Sequence, residues 1–189
     1  MKPYEALPDA VEWQGEQIRI DYSYAAVLAA LDVLTDERMP PALQLRTALE
    51  ILVIDEDYPE DPELLREIIR TAGFGQEPET HEPKVMDMEQ DWPLIAAGFQ
   101  QAYGIDLYAD KTMHVVRFRA LLQGLPKGTR IMDVVGIRAA EMPAPNKHNA
   151  RQIAELSRLK AKYALRGSEA DIQRGLARMF DLLEERAKK

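Results

Sequence analysis

Asp61-Pro-Glu-Leu-Leu-Arg-Glu-Ile-Ile-Arg-Thr-Ala-Gly73 is the stretch that decides the fold class. The Asp61 carboxylate is short enough to accept from the free N–H groups of a first helical turn. Pro62 fits the first helical position, where no N–H is required. Leu64, Leu65, Ile68, Ile69 and Ala72 then recur at helical spacing. Gly73 closes the pattern, because it enters the left-handed conformation without a Cβ clash. The stretch reads as an amphipathic helix with a complete start and stop.

Working upstream, Pro40-Pro41 opens a second helical stripe of Leu45, Ala48, Leu49, Leu52 and Val53. Before it, Tyr24, Val27, Leu28, Leu31 and Leu34 form an alanine-rich helix after Asp21. The period changes to two at the start of the chain. Val11 and Trp13 alternate with Glu12, and Ile18 and Ile20 alternate with Arg19, around Gln14-Gly15. That is a β-hairpin spanning residues 10–21, and it needs a helix to lean on.

Working downstream, Gly75 to Lys84 carries two prolines and three glutamates and reads as a mobile loop. Trp92, Ile95, Ala96, Phe99 and Tyr103 then share a face, with regular hydrogen bonding starting near Asp91 and ending at Gly104. Val115, Phe118, Leu122 and Leu125 form the next face, and a short helix follows over Thr129 to Ala139. Ile153, Leu156, Leu159 and Tyr163 make a further stripe. Gly167 breaks the chain, Ser168 and Asp171 resemble a capping pair, and Ile172, Leu176, Met179, Phe180 and Leu183 form a last stripe. The expected fold is mostly α: one compact domain over residues 1–189, with seven or eight helices and a small N-terminal β-hairpin.

The 189 residues carry 32 acidic and 24 basic side chains, a net charge of −8, and no cysteine. Absent thiols exclude disulfides, Cys-ligated zinc, Fe–S clusters and thiol catalysis. The acidic balance argues against phosphate-backbone binding, and no apolar run is long enough to span a bilayer. Met1 to Asp9 has no apolar core, so no secretory signal is expected. Charge is uneven. From Glu50 to Asp91 fourteen acids face three bases, a net of −11, whereas from Ala144 onward eleven bases face six acids, a net of +5. The plain reading is solvated helix faces; the functional one is docking between copies or onto a partner.

No catalytic, metal or cofactor constellation emerges. Gly124 to Thr129 has phosphate-loop residue types without the required order, and Gly73-Phe-Gly75 follows a helix, not a strand. His81, His114 and His148 lack metal-ligand spacing. Ser23 and Ser157 lie in helical contexts rather than in a hydrolytic triad. Asp55/Asp57 and Asp87/Glu89 fall short of a calcium loop. A helix-turn-helix around Gly167 is countered by acids interleaved with the bases. Met86, Met88, Met113 and Met132 hint at an adaptable apolar surface.

The centre of the chain carries a resemblance. Ile95-Ala-Ala-Gly-Phe-Gln-Gln-Ala-Tyr-Gly-Ile-Asp-Leu107 is followed by His114-Val-Val-Arg-Phe-Arg-Ala-Leu-Leu-Gln-Gly-Leu-Pro126, Ile131 and Val135-Gly-Ile-Arg138. These segments, with the hairpin, the Asp21 to Leu34 helix and Tyr58-Pro59, resemble the bacteriophage Gp-fifteen family over residues 7–165. Its genes lie between the major tail protein and the tape measure in siphophages and prophages of Gram-positive hosts. Val115 and Val116 stand where the family usually has a Trp pair, which suits packing better than an aromatic grip.

The resemblance implies a non-enzymatic tail-assembly chaperone. It would bind the tape measure protein and other tail-assembly proteins in the host bacterial cytoplasm and be absent from the finished particle. Alternatives are a minor structural tail component or a nucleic-acid-binding regulator. The candidate partner-binding residues are Trp92, Phe99, Tyr103, Met113, His114, Arg117, Phe118 and Arg119. The aromatics among them, at helical spacing, fit a core better than an interface. Arg117 and Arg119 leave their helix's apolar face and could meet a partner's acids, but pairing with the chain's own acidic middle is the favoured reading.

Overall fold

A computed structural model describes residues 6–36, 38–74 and 84–166 of the chain. In chain order the elements are β1 (Ala10–Trp13), β2 (Glu16–Arg19), α1 (Tyr24–Thr35), α2 (Pro41–Leu52), α3 (Pro62–Thr71), α4 (Trp92–Tyr103), α5 (Val115–Gln123), α6 (Arg130–Ala139) and α7 (Ala150–Lys162). The expected mostly-α fold with an N-terminal hairpin is what forms. The described residues group into two compact units. The first holds the hairpin, α1, α2, α3 and residues 104–124; the second holds residues 84–103 and 125–166.

In the first unit, β1 and β2 pair antiparallel with Val11 opposite Ile18, both on the buried side. Gln14 and Gly15 both have positive φ, at 52° and 89°, as a two-residue turn between twisted strands demands. The hairpin continues into the unit through backbone pairing. Asp21 N donates to Leu52 O at 2.8 Å and Ile54 N to Arg19 O at 3.0 Å. On its other side, Tyr24 N donates to Met113 O and Val115 N to Tyr22 O, each at 2.8 Å. Residues 19–24 thus join the end of α2 to the start of α5.

The helix starts follow the sequence signals. Ser23 Oγ accepts from Ala26 N at 3.2 Å at the start of α1. Asp61 Oδ1 accepts from Glu63 N at 2.8 Å at the start of α3. Gly73 leaves α3 with a φ of 85°. The unit's core is Tyr24, Val27 and Ala30 of α1, Ala48, Leu49 and Leu52 of α2, Leu64 and Ile68 of α3, and Val115 and Phe118 of α5. Tyr24 also carries a polar duty: its hydroxyl donates to Leu107 O at 2.5 Å and approaches Asp110 O at 3.2 Å.

In the second unit, Ile95, Ala96 and Phe99 of α4 pack with Leu125 and with Ile131 and Val134 of α6. Gly98 permits this approach: a Cβ there would lie 3.1 Å from Ile131 Cγ2 and 3.4 Å from Leu125 Cδ1. Leu125 therefore corrects one expectation. It is not on the face of α5, because that helix stops at Gln123; it packs beside Gly98 instead. The α7 stripe of Ile153, Leu156 and Leu159 is only half-buried. Residues 75–83 of the expected loop, His81, and the Ser168 to Leu183 cap and stripe lie outside the described residues.

The second unit is fastened by an ion pair that burial makes consequential. Arg138 Nη1 and Nη2 meet the Asp91 carboxylate at 2.5 and 2.8 Å, with side chains 8 % and 2 % exposed. Arg138 Nε also donates to Tyr163 O at 2.6 Å and Nη1 to Val85 O at 3.0 Å, while Asp91 Oδ2 accepts from Asp87 N at 2.9 Å. Burial alone would push the Asp91 carboxyl up. The hydrogen bonds from Arg138 and the Asp87 N–H outweigh it and hold the group below its usual 3.8.

Tyr24→Phe keeps the ring but strands its carbonyl partner, and should cost about 1–2 kcal/mol in urea unfolding. Arg138→Gln should cost about 3–5 kcal/mol near pH 7, because a buried carboxylate loses its counter-charge. In the wild type the depressed Asp91 pKa stabilises the fold above pH 3.8, and that stability is lost as pH falls below it. In Arg138→Gln the unpaired buried carboxyl is pushed up, so the variant is penalised as pH rises. The stability gap measured between the two proteins should be widest near neutrality and narrow on acidification.

Candidate partner-binding surface

The eight residues singled out by sequence fall in both units. In the second, Phe99 is fully buried and meets the Tyr103 ring edge-on at 5.7 Å between centroids; Trp92 and Tyr103 are half-buried. In the first, Phe118 is fully buried and stacks on Tyr24 at 4.7 Å, and Met113 is 7 % exposed. Phe99, Phe118 and Met113 therefore pack the interior of their units.

His114 has a precise local duty. It caps α5, with Nδ1 accepting from Val116 N at 3.1 Å. Its Nε2 lies 3.0 Å from Pro8 O, so the ring carries its proton on Nε2 and ties the chain ahead of β1 to α5. The Tyr22 ring lies 5.5 Å away, and burial pushes the Tyr22 phenol up to about 12. Arg119 donates to the carbonyl of Gly73, and its guanidinium lies 4.4 Å from the centre of the Phe74 ring. That contact fixes the exit from α3. Arg117 is exposed, and its charge helps the Thr112 hydrogen bonds hold the Asp110 carboxyl low.

A different part of the first unit forms an open apolar groove of about 390 Å³. Its walls are Leu34 at the end of α1, Pro41, Ala42, Gln44 and Leu45 at the start of α2, and Pro62 and Leu65 at the start of α3. Three helix ends ordinarily leave free polar groups there. Here most are used up. Pro41 and Pro62 bring no N–H, and Pro40 O accepts from Leu43 N and Gln44 N at 2.9 and 3.0 Å. The Gln44 amide donates to Asp36 O at 2.9 Å and to Leu34 O at 3.4 Å. Asp61 satisfies Glu63 N. With the backbone closed on itself, the groove presents mostly carbon.

The setting is acidic. The described residues of the first unit hold sixteen acidic and eight basic side chains, a net of −8. Those of the second hold six acidic and ten basic, a net of +4. Within two residues of the lining stand six acids, Asp32, Asp36, Glu60, Asp61, Glu63 and Glu67, against two bases, Arg46 and Arg66. Asp36 is held low by the Arg38 hydrogen bonds, and Glu63 pairs with Arg66 at 2.5 Å. In the sequence, Leu34, Leu45 and Leu65 stand in apolar stripes and Pro41 and Pro62 at helix starts, while Ala42 and Gln44 carry no signal of their own. The two N-terminal prolines in register with apolar first turns were the available signal.

Among the described residues, no cluster of three or more His, Cys, Asp or Glu side chains is arranged for a metal ion. No described helix is long and apolar enough to cross a membrane. The most informative single variant is at the α5 cap. His114→Ala should cost about 1–2 kcal/mol in thermal unfolding by removing the cap and the Pro8 contact. Asn, which also caps, should recover part of the loss.

Comparison with known proteins places the chain within one group. No curated protein and no solved structure matches it. The family model described as Bacteriophage Gp15 protein matches residues 4–165, which takes in the hairpin, all seven described helices and the apolar groove. The chain belongs to the Bacteriophage Gp15 protein family.

Proposed function

We propose that this protein is a non-enzymatic tail-assembly chaperone that holds the phage tape measure protein in the host bacterial cytoplasm during tail morphogenesis. The observation that carries the reading is the groove at the ends of α1, α2 and α3: an open apolar surface on an acidic unit. Tape measure proteins are long, helical and apolar, and need cover until tube subunits polymerise around them. Apolar helices bind by laying side chains into such grooves. A strongly charged exterior keeps the resulting complex soluble. Family membership supplies the phage context for this reading.

Co-expression with the tape measure protein of the same phage tests the reading. The tape measure should stay soluble and co-purify, and this protein should be absent from purified particles. A tape measure that aggregates with this protein left free in solution overturns the proposal. Recovery of the protein in stoichiometric amounts from purified particles makes it a structural tail component instead.

A further inference from the structure

We propose that the groove at the ends of α1, α2 and α3 takes the apolar face of a basic amphipathic helix from a partner chain. This builds on the chaperone reading and specifies what the partner must look like. The lining of Leu34, Ala42, Leu45 and Leu65 offers contact to aliphatic side chains. The surrounding backbone is already bonded through Pro40, Gln44 and Asp61. An extended peptide would bring unpaired N–H and C=O groups with few partners to meet. A helix satisfies its own backbone and brings only side chains, spaced i, i+3, i+4 and i+7.

Charge then selects among helices. The unit carries a net −8, and Asp36, Asp61 and Glu63 flank the groove. Arg38 and Arg66, which pair with Asp36 and Glu63, are 90 % and 71 % exposed. Exposed pairs of this kind hold weakly and exchange readily with an incoming base. Lys and Arg flanks on the partner are therefore favoured, and Glu or Asp flanks are repelled. A second copy is a poorer fit. The described basic helix, α7, packs on α6 and has its apolar stripe half-buried there.

The test uses the full chain and two fluorescently labelled helical peptides. Both carry leucines at i, i+3, i+4 and i+7; one has lysines elsewhere and the other glutamates. Fluorescence polarisation should show the lysine peptide binding at least about tenfold more tightly, with the difference shrinking at high salt. Leu34, Ala42, Leu45 and Leu65 methyl signals should shift on its addition. Ala42 is exposed in the first turn of α2, so Ala42→Arg fills and charges the groove without touching the core. It should weaken lysine-peptide binding about tenfold or more. Ala97→Arg, exposed on α4, should leave it unchanged.

Equal affinity for both peptides overturns the proposal, as does binding untouched by Ala42→Arg. A dimer in light scattering that Ala42→Arg dissolves would give the groove to a second copy and equally overturn it. The two readings fail separately. Tape measure co-purification that survives Ala42→Arg keeps the chaperone and discards the groove. Groove-dependent peptide binding without tape measure capture keeps the groove and discards the tape measure.

Discussion

The six residues from Arg19 to Tyr24 are the constraint on which the first unit depends. They pair with the Leu52 to Ile54 backbone on one side and with Met113 to Val115 on the other. Buried peptide groups must be bonded, and few other conformations of this stretch would satisfy both neighbours at once. Three of the unit's helices take their position from that junction. α1 begins where the stretch ends, α2 ends against it, and α5 begins against it. The exposed Arg19–Asp55 pair, at 2.6 Å, adds a side-chain tie to the same place. The pair is worth little alone, so the backbone pairing and the packing of Val27, Leu49 and Phe118 dominate.

The groove is a consequence of how the helices end. α1 stops at Thr35, and both α2 and α3 start on proline. Proline at the first helical position fixes the entry and removes a donor that water would otherwise solvate. The remaining polar groups fold back onto neighbouring atoms of the same chain, with the Gln44 amide carrying two α1-end carbonyls. What is left facing outward is hydrocarbon in an acidic surround. That hydrocarbon is the surface offered to the proposed partner helix, whereas the buried Arg138–Asp91 cluster of the second unit has its partners within the chain.

Much of the fold was readable because local rules and tertiary demands agreed. Val11, Ile18 and Gln14-Gly15 specify their hairpin by alternation and positive φ. Ser23, Asp61, Pro62 and Gly73 mark helix ends by chemistry that acts within a few residues. The illegible parts are those where distant residues decide. Asp91 and Arg138 lie 47 positions apart, and each alone looks like an ordinary solvated charge. By sequence Arg119 suits acids of its own chain or of a partner, yet it meets a carbonyl and a ring at Gly73-Phe74. Leu125 continues the spacing of α5 but falls beyond the Gly124 stop, so the break outranks the period. The groove residues were visible as apolar positions. Their convergence was not, because it depends on how three helix ends meet.

On the proposed reading the protein must release its partner when the tube assembles, and a short groove suits that. Stable protein pairs bury about 800 Å² on each partner, well beyond what one short groove covers. If the groove binds as proposed, a single one would hold a partner briefly, and tight holding would need several copies along one long partner, each contributing through its local concentration. Electrostatic attraction raises the rate of encounter more than it lengthens the bound state. The acidic surround would accordingly recruit basic helices quickly, while the small apolar contact leaves each copy easy to displace. A polymerising tube, which covers the partner continuously, could then strip the copies one at a time without any one step meeting a large barrier.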